Sequence, residues 1–466
     1  MNSEKIWPME EKYQEYLIDE SKYSGYADSI SFPENEKDIL EIVKRMKENH
    51  KDITIQGGKT GIVGGAVPRG GHIINLSRMN QWKEARLLKD GTGLITVEPG
   101  MNLMELNKKI GREFKENPMI WPPQPTEESA TVGGIAATGA KGINSFFYGD
   151  SKQYFEAVRL VCSDDSVRVI TRTNEGELLN RILSTEGLPG IFSELTLRLL
   201  PKPENIWGIS LFFDSQEDIG AFVALIKQDE IRAEEANILA MEYLDRTTIN
   251  LIESRKKTMT KIKEVPDIES QFVGMIYMEL QGTEEDIEIL AEKIMEVAEK
   301  CNCDLDKAWA VSGETEIEKM RAFRHGASES ANLFIEEVRR NDKRITKLST
   351  DMEISERDFL QVLVDYEEDM KAVELNGCIF GHIKNNHLHV NILPQDYQQY
   401  QTGLELIKNW ARNTKKQGGK IICEHGIGKL KKDILKDVLD EEEIGQLAKI
   451  KLEFDTKKVW NRGNVL

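Results

Sequence analysis

The chain has 466 residues, of which 39% are hydrophobic and 30% charged, and its formal net charge is −18. This length suggests two or three domains of roughly 150 residues, and the composition excludes collagen, low-complexity polymer and wholesale disorder. The negative charge argues against nucleic acid or an anionic membrane as the main partner, although it leaves room for a local basic pocket.

Neither the first segment of the chain nor its cysteines indicate export or membrane insertion. No apolar run approaches the ~18 residues that a membrane span needs, and the charged amino-terminal segment lacks the apolar stretch of a signal peptide. The five cysteines form no CxxC pair. We therefore expect reduced thiols and a cytoplasmic protein without a membrane span.

The first half of the chain alternates helix and strand signals. Apolar residues at i, i+3, i+4 and i+7 predict a helix over residues 36–48. A Pro-Lys-Pro sequence at 201–203 indicates a domain boundary. Apolar runs bounded by turn residues predict the other elements: strands over 53–56, 94–98 and 192–200, a short helix from 103, and a hairpin of strands 157–162 and 167–170.

The middle of the chain contains a weak internal repeat. A strand over 209–213 and another over 274–280 each precede a helix, with Ser215 or Thr283 as N-cap and an aspartate three residues later. Two such units suit a small antiparallel sheet covered by helices on one face. Chance similarity of two capped helices is the alternative.

Three segments rich in small residues adjoin predicted strands. They read ITIQGGKTGIVGGAVP from residue 53, WPPQPTEESATVGGIAATGAKG from 121 and STEGLPGIFSELTLRLLP from 184. Glycines let the backbone approach a ligand, and consecutive N–H groups can form a nest for an anion. Neither GxGxxG nor GxxxxGK[ST] occurs, which disfavours Rossmann and P-loop sites. The segments instead indicate one wall for a large, flat ligand that carries phosphate.

The order of these segments resembles the FAD-binding domain of the vanillyl-alcohol-oxidase and p-cresol-methylhydroxylase (PCMH) type. Within that superfamily the chain is similar to the flavin-linked D-lactate, glycolate and D-2-hydroxyacid dehydrogenases, through the glycine loop, VEPG, PPQPT…ATVGGIAATGAKG…YGD and EG..G…LTLRLLP. The resemblance implies an α+β fold with three parts: a PCMH-type FAD-binding domain over 1–205, a substrate or cap domain over 206–420 with an antiparallel sheet covered by helices, and a C-terminal segment over 421–466 that returns to the FAD domain.

The resemblance also implies which residues contact FAD. Those expected to hold the pyrophosphate are Gln56, Gly57, Gly58, Lys59, Thr60, Gly61 and Gly64. Those expected to contact FAD from a second side are Pro122, Thr126, Thr131, Gly133, Gly134, Thr138 and Gly139. Glu186, Gly187 and Ile191 would lie near the adenosine or the isoalloxazine. The surroundings of His72 give no sign of a covalent flavin link, so noncovalent FAD is expected.

The segment CIFGHIKNNHLHVNILP, residues 378–394, predicts a histidine-bearing hairpin. With Asn385-Asn386 as a two-residue turn, the opposed pairs are Lys384 with His387, Ile383 with Leu388 and His382 with His389. Opposed residues share a face with Cβ atoms about 5 Å apart, so His382 and His389 can hold one divalent metal. Asn391 is expected on the same face, and His387 is assigned to the other face.

The segment KIICEHGIGK supplies two further candidates. Glu424 can complete a His-His-Glu metal site that keeps open positions for substrate, and the metal could be Fe, Zn or Mn. His425 is then free to act as a base. A satisfied network of core histidines without a metal is the alternative.

The family resemblance extends to this half of the chain, where members read GHxGDGNLHxN followed by EHG. It implies His382, His389 and Glu424 as metal ligands, Asn391 as an active-site amide and His425 as catalytic base. Arg324, in the predicted helix EKMRAFRHGASES, matches the arginine that binds the substrate carboxylate. The chain departs from the family at Lys384-Asn385-Asn386 and at His387, which replaces an asparagine. This version resembles members that work with electron transfer flavoprotein in anaerobic bacteria.

These resemblances imply an FAD-dependent D-lactate dehydrogenase that transfers a hydride to FAD and passes electrons to an electron transfer flavoprotein. Electron bifurcation with NAD is a further hypothesis. Glycolate or D-2-hydroxyglutarate dehydrogenase is an alternative within the same class. Two alternatives of other classes are a non-catalytic FAD-binding electron-transfer subunit and a metal-stapled protein without flavin.

Overall fold

The computed structural model describes residues 5–228, 231, 233–436, 438–439 and 441–465. Two compact units divide the chain. The first unit comprises Met1–Gly142, Asp150–Lys202 and Glu424–Leu466, and the second comprises Ile143–Gly149 and Pro203–Cys423. The first unit is therefore assembled from three separate stretches of chain.

The first unit opens with five elements: β1 (Trp7–Pro8), β2 (Ser29–Ser31), α1 (Glu36–Glu48), β3 (Ile53–Gln56) and β4 (His72–Asn75). The strands form a sheet in the order β1-β2-β4-β3, in which β2, β4 and β3 are parallel. Asn35 caps α1 by accepting a hydrogen bond from the Asp38 backbone N–H. The predicted helix over 36–48 and strand over 53–56 are confirmed.

The next elements are β5 (Trp82–Leu87), β6 (Gly93–Val97), α2 (Leu103–Glu113), β7 (Met119–Ile120), α3 (Val132–Thr138), α4 (Ser145–Tyr148), β8 (Phe155–Val161), β9 (Val167–Thr171), α5 (Arg172–Ile182) and β10 (Ile191–Pro201). The strands form a second, antiparallel sheet in the order β5-β6-β10-β8-β9, and β7 also pairs with β10. The predicted hairpin is confirmed as β8 and β9. Helix α4 belongs to the second unit.

The second unit continues with β11 (Asn205–Phe213), α6 (Gln216–Gln228), β12 (Asn237–Asp245), α7 (Arg246–Arg255), β13 (Gly274–Gly282), α8 (Glu284–Lys300), β14 (Trp309–Ser312), α9 (Glu314–Arg339), β15 (Leu348–Ser349), α10 (Phe359–Ala372), β16 (Gly377–His382), β17 (His387–Ile392) and α11 (Tyr397–Lys416). Its sheet is antiparallel, in the order β14-β11-β13-β12-β16-β17-β15. Ser215 and Thr283 cap α6 and α8, as predicted.

Helices cover both faces of this sheet, so the expectation of one covered face is wrong. On one face, Phe212 and Leu244 share a core with residues of α7 and α9. On the other, Phe213 lies 5.6 Å from Phe222 of α6, measured between ring centroids. The sequence signal was present, because β12 and β13 each contain a run of consecutive apolar residues, ILAM and MIYM, instead of an alternating pattern, which is typical of strands buried on both faces.

The chain returns to the first unit through α12 (Lys432–Lys436) and α13 (Glu441–Phe454). Beyond α13, the Asn461 backbone N–H donates to Ile53 O at 2.7 Å, and the Asn461 side chain accepts from the Ile55 N–H at 2.9 Å. The C-terminal segment therefore lies along strand β3. All five cysteines are free thiols, and no helix among the described residues is both long and apolar enough to cross a bilayer.

The buried helix cap at Asp245 predicts a pH-dependent stability. Its carboxylate accepts a hydrogen bond from the Thr248 N–H at 2.7 Å, and burial raises the pKa of Asp245 to about 7. The folded protein then holds this proton to a higher pH than the unfolded chain does, where the pKa is about 3.9. This group therefore lowers stability as pH rises from about 4 through about 7. Asp245→Asn keeps the cap, and its melting temperature should fall less than that of the wild type between pH 5 and pH 8.

Asp396→Asn is the matched control, because Asp396 caps α11 in the same way from an exposed position. This control should follow the wild-type pH dependence. An Asp245→Asn protein whose melting temperature also follows the wild-type curve would contradict the prediction.

Candidate functional site

The three small-residue segments meet within the first unit. A Cβ added at Gly57 would lie 2.3 Å from Thr131 Oγ1, so the first segment packs directly on the second. The Ser184 N–H donates to Ala136 O at 2.9 Å, and the Glu186 N–H donates to Ala137 O at 2.7 Å. These bonds attach the third segment to the end of α3. The structure thus brings together the segments that the sequence assigned to one ligand.

The glycine loop after β3 has the properties of an anion nest. Within the described part of the chain, the backbone N–H groups of residues 58–62 donate no hydrogen bond. Lys59 has a φ of 60°, and a Cβ at Gly61 would meet no atom within 4 Å. A run of unpaired N–H groups on an open loop fits a pyrophosphate.

Two of the residues predicted to contact FAD also form side-chain hydrogen bonds within the first unit. The Gln56 amide is buried and donates to Tyr16 O and Ala66 O at 2.8 and 2.7 Å. The Glu186 carboxylate accepts from the N–H groups of Ile427 and Gly428 at 2.5 and 2.7 Å. The other predicted residues lie on the three segments: Pro122 and Thr126 before α3, Thr131 at its N-cap, Gly133, Gly134 and Thr138 within it, Gly139 at its C-cap, and Gly187 and Ile191 leading into β10.

Glu424 and His425 begin the C-terminal part of the first unit. The residues that follow them are fastened to the glycine loop. The Lys429 N–H donates to Val63 O at 2.9 Å, and the Lys429 ammonium lies 3.3 Å from Gly64 O. Burial lowers the pKa of Lys429 to about 8. The segment that carries His425 is therefore anchored on the segments that fit FAD, within one unit.

The histidine hairpin has a different register from the predicted one. Residues 383–386 form a four-residue loop, and the opposed pairs are His382 with His387, Gly381 with Leu388 and Phe380 with His389. A two-residue type I′ turn needs a positive φ at both central residues, and here Asn386 has a φ of 50° while Asn385 has no positive φ. The buried Asn386 amide donates to Ile354 O and Arg357 O at 3.0 and 2.7 Å. Contacts with a distant segment thus select the longer loop.

His387 shares the face of His382 and His389, so its assignment to the other face is wrong. Residues two apart on a strand point the same way, which places His387 with His389 in either register. The ring centroid of His387 lies 4.6 Å from that of His389 and 5.5 Å from that of His382. The centroids of His382 and His389 are 5.8 Å apart. One ring nitrogen of each histidine lies within 4.8 Å of the others. This cluster can hold a divalent metal.

A buried carboxylate connects the cluster to helix α9. Glu242 pairs with His382 across β12 and β16 and contacts His382 Nδ1 through one oxygen. Its other oxygen accepts from Arg324 Nε at 2.8 Å. Burial by itself would raise the pKa of Glu242, but the nearby Arg324 and His382 lower it to about 2. Glu242 therefore holds Arg324 close to His382.

Arg321 and Asn391 occupy defined places on the same side of the sheet. Arg321 forms a fork with the buried Glu279, at 2.7 Å from Nε and 2.5 Å from the second nitrogen, so it is not a solvated surface residue. Asn391 follows His389 by two residues on β17 and is buried. Among the described residues, none donates a hydrogen bond to Asn391 Oδ1. A buried acceptor of this kind fits an amide that meets substrate.

The sequence reasoning missed Glu242, Asp351 and Lys429. Asp351 is buried and contacts His387 Nε2 at 3.0 Å. The available signal was a charged residue inside an otherwise apolar run, as in LAMEYLD for Glu242. Such residues require a buried partner, and the partner here is not a sequence neighbour.

Breaking the buried Glu242–Arg324 ion pair should destabilise the fold much more than breaking an exposed ion pair. Glu242→Gln leaves Arg324 buried without its charge partner, which typically costs about 3–5 kcal/mol. Glu337→Gln removes the charge partner of Arg255, but the Glu337 side chain is 52% exposed and the loss of this ion pair should cost about 0–1 kcal/mol. Thermal unfolding of both variants, with chelator present to exclude metal effects, checks this. Equal melting temperatures for the two variants would refute the prediction.

Comparison with known proteins gives two family matches. The model described as "FAD linked oxidases, C-terminal domain" matches residues 202–465, and the model described as "FAD binding domain" matches residues 27–171. The chain is 25% identical to D-lactate dehydrogenase of Anaerostipes hadrus, covering 92% of this chain and 87% of that protein. It is 23% identical to D-2-hydroxyglutarate dehydrogenase of Stutzerimonas stutzeri, covering 97% and 93%. It is 22% identical to glycolate oxidase subunit GlcD of Bacillus subtilis, covering 95% and 90%.

Among solved structures, an alkyldihydroxyacetonephosphate synthase matches with a TM-score of 0.70 at 15% identity, covering 99% of this chain and 82% of that one. This likeness concerns the fold alone, and with the domain matches it confirms the predicted PCMH-type FAD-binding fold. The C-terminal-domain match covers more than half of the chain. The protein therefore belongs to the FAD-linked oxidase family.

Proposed function

We propose that the protein is an FAD-dependent D-2-hydroxyacid dehydrogenase that oxidises D-lactate to pyruvate. The observation that carries this proposal is the cluster of His382, His387 and His389 beside the Glu242–Arg324 pair, in a chain of the FAD-linked oxidase family. A metal-binding cluster next to a guanidinium suits a small substrate with a hydroxyl and a carboxylate. The D-lactate dehydrogenase of Anaerostipes hadrus supports the choice of substrate.

The cofactors of this proposal are noncovalent FAD and a divalent cation, either Fe, Zn or Mn. The open N–H groups of residues 58–62 fit the pyrophosphate of FAD. The cation would be held by His382 and His389, with Glu424 as the carboxylate ligand that the sequence predicts. When bound, FAD accepts a hydride and the cation lowers the pKa of a hydroxyl.

The chain's own residues would position the substrate and move one proton. Arg324 would bind the carboxylate of the hydroxy acid through its guanidinium group, which Glu242 orients. Asn391 Oδ1 would accept a hydrogen bond from substrate. His425 would take the proton of the substrate hydroxyl on an imidazole nitrogen, which leaves the Cα hydride ready for transfer.

Glycolate and D-2-hydroxyglutarate are the second candidate substrates. Two relatives support them, the GlcD subunit of glycolate oxidase and the D-2-hydroxyglutarate dehydrogenase. All three acids carry the same hydroxyl and carboxylate, so the same residues serve them. A non-catalytic FAD-binding electron carrier would not need the histidines, His425 or Arg324.

The decisive experiment is a visible absorbance scan of the purified full chain before and after anaerobic addition of substrate. A flavin spectrum is expected that bleaches with D-lactate and does not bleach with L-lactate. Parallel scans with glycolate and D-2-hydroxyglutarate identify the alternative substrates. A flavin spectrum that bleaches with none of the four would support the electron-carrier alternative and contradict the dehydrogenase.

His425→Gln serves as the residue-level arm of this experiment. The variant should keep its flavin spectrum and be reduced by D-lactate about 10²–10⁴-fold more slowly, because the proton acceptor is lost. His50→Gln is the matched control, since His50 is exposed at the end of α1. Reduction of the His425→Gln flavin at the wild-type rate would exclude His425 as the base.

The proposed electron acceptor is an electron transfer flavoprotein, and the proposed location is the cytoplasm. Reduced FAD must be reoxidised, and the free cysteines fit a reducing compartment. Bifurcation of electrons with NAD is the finer form of the proposal. Gel filtration of the protein with its cognate electron transfer flavoprotein should give a joint peak. Separate elution, together with failure of the flavoprotein to reoxidise substrate-reduced protein, would rule this partner out.

A further inference from the structure

The histidine cluster contains one imidazole more than the ligand set above uses. His382, His387 and His389 are 8%, 3% and 5% exposed, so none of them is a surface side chain. One nitrogen of each ring lies within 4.8 Å of the other two. The His387 ring is also the one nearest to His389, at 4.6 Å between centroids.

A buried carboxylate fixes the tautomer of His387. Asp351 Oδ1 lies 3.0 Å from His387 Nε2, and the Asp351 side chain is fully buried. The carboxylate accepts a hydrogen bond from the Nε2–H of His387, which leaves the ring's lone pair on Nδ1. His382 has the same arrangement with Glu242, through Nδ1, and keeps its lone pair on Nε2. Histidines that bind metals typically donate their other ring N–H to a carboxylate in this way.

We propose that His387 is a third nitrogen ligand of the divalent cation, so that this site uses three imidazoles where two were expected. The proposal rests on the proposed function, because it concerns the same cation. Neighbouring nitrogens on one zinc are about 3 Å apart when Zn–N is about 2.0–2.1 Å, and a five-coordinate cation keeps one position for substrate beside three imidazoles and Glu424. The ring nitrogens of the cluster lie within 4.8 Å of one another, and small side-chain movements can bring them to this separation.

A third imidazole changes which metal the site prefers. Imidazole suits Zn, Fe and Co better than Mn, which favours oxygen ligands. Replacing His387 by asparagine substitutes an amide for a nitrogen ligand while keeping a polar side chain of smaller volume. The variant should therefore lose affinity for Zn²⁺ more than for Mn²⁺.

The test measures metal affinity and metal geometry in the full chain with its flavin. Wild type, His387→Asn, His382→Asn and the exposed control His50→Asn are stripped with chelator and titrated with Zn²⁺ and with Mn²⁺ against a competing chelator. Asparagine is well tolerated at His50, where φ is 52°. We expect His387→Asn to bind Zn²⁺ at least about tenfold more weakly than wild type, with a smaller loss for Mn²⁺. Its Co²⁺-loaded absorbance should also differ from that of wild type.

X-ray absorption of the Zn²⁺-loaded wild type gives a second measurement that needs no variant to fold. Three imidazoles per zinc are expected. Two imidazoles per zinc would overturn the proposal. Weaker Zn²⁺ binding by His387→Asn with an unchanged Co²⁺ spectrum would also overturn the proposal, because His387 would then affect the cation only by positioning another ligand.

The outcomes separate this proposal from the one on which it rests. If His382→Asn loses Zn²⁺ and His387→Asn binds it as wild type does, the metal site stands and the third ligand is refuted. If wild type and His382→Asn bind Zn²⁺ equally, the metal site itself is refuted, and the third ligand with it. His50→Asn should match wild type throughout.

Discussion

An ionised carboxylate survives inside an apolar sheet only when charged or hydrogen-bonding partners surround it. Glu242 meets this condition with Arg324 on one oxygen and His382 on the other. One side chain therefore joins strand β12, strand β16 and helix α9. Glu279 repeats the device on β13, with Arg321 and the Tyr277 hydroxyl as its partners. Glu242 therefore orients both a candidate metal ligand, His382, and the arginine proposed to bind substrate, Arg324.

Local rules in the sequence accounted for many elements of the fold. Helix α1, strand β3 and the caps at Ser215 and Thr283 follow from periodicity and capping, which involve residues within one turn or one strand. The hairpin register did not follow, because the loop is held by backbone carbonyls of Ile354 and Arg357, about thirty residues earlier. The two covered faces of the second sheet are predictable from the apolar runs of β12 and β13.

The candidate site shows the same division. Spacing within the hairpin predicted that His382 and His389 lie together, and the family resemblance added Arg324; the two histidines share one face of the sheet, and Arg324 of α9 reaches Glu242 on that face. The carboxylates that orient them were not found, since their partners are remote in sequence: Arg324 lies 82 positions from Glu242, and Asp351 lies 36 positions from His387. The spacing of residues along the sequence predicts which of them lie on the same helix or strand. It does not report which charged residues neutralise each other after the elements pack.

The return of the C-terminal segment to strand β3 has a consequence for the order in which the protein matures. The contact between Ile55 and Asn461 spans 406 positions, so the edge beside the glycine loop is among the last parts of the chain to close. On the ribosome, the stretch from Pro203 to Cys423 emerges before the residues that complete the first unit. Its sheet can form while the glycine loop still lacks Lys429. Acquisition of the flavin is then a late event in biogenesis, and until that event the open edge of β3 is a surface that chaperones or aggregation can reach.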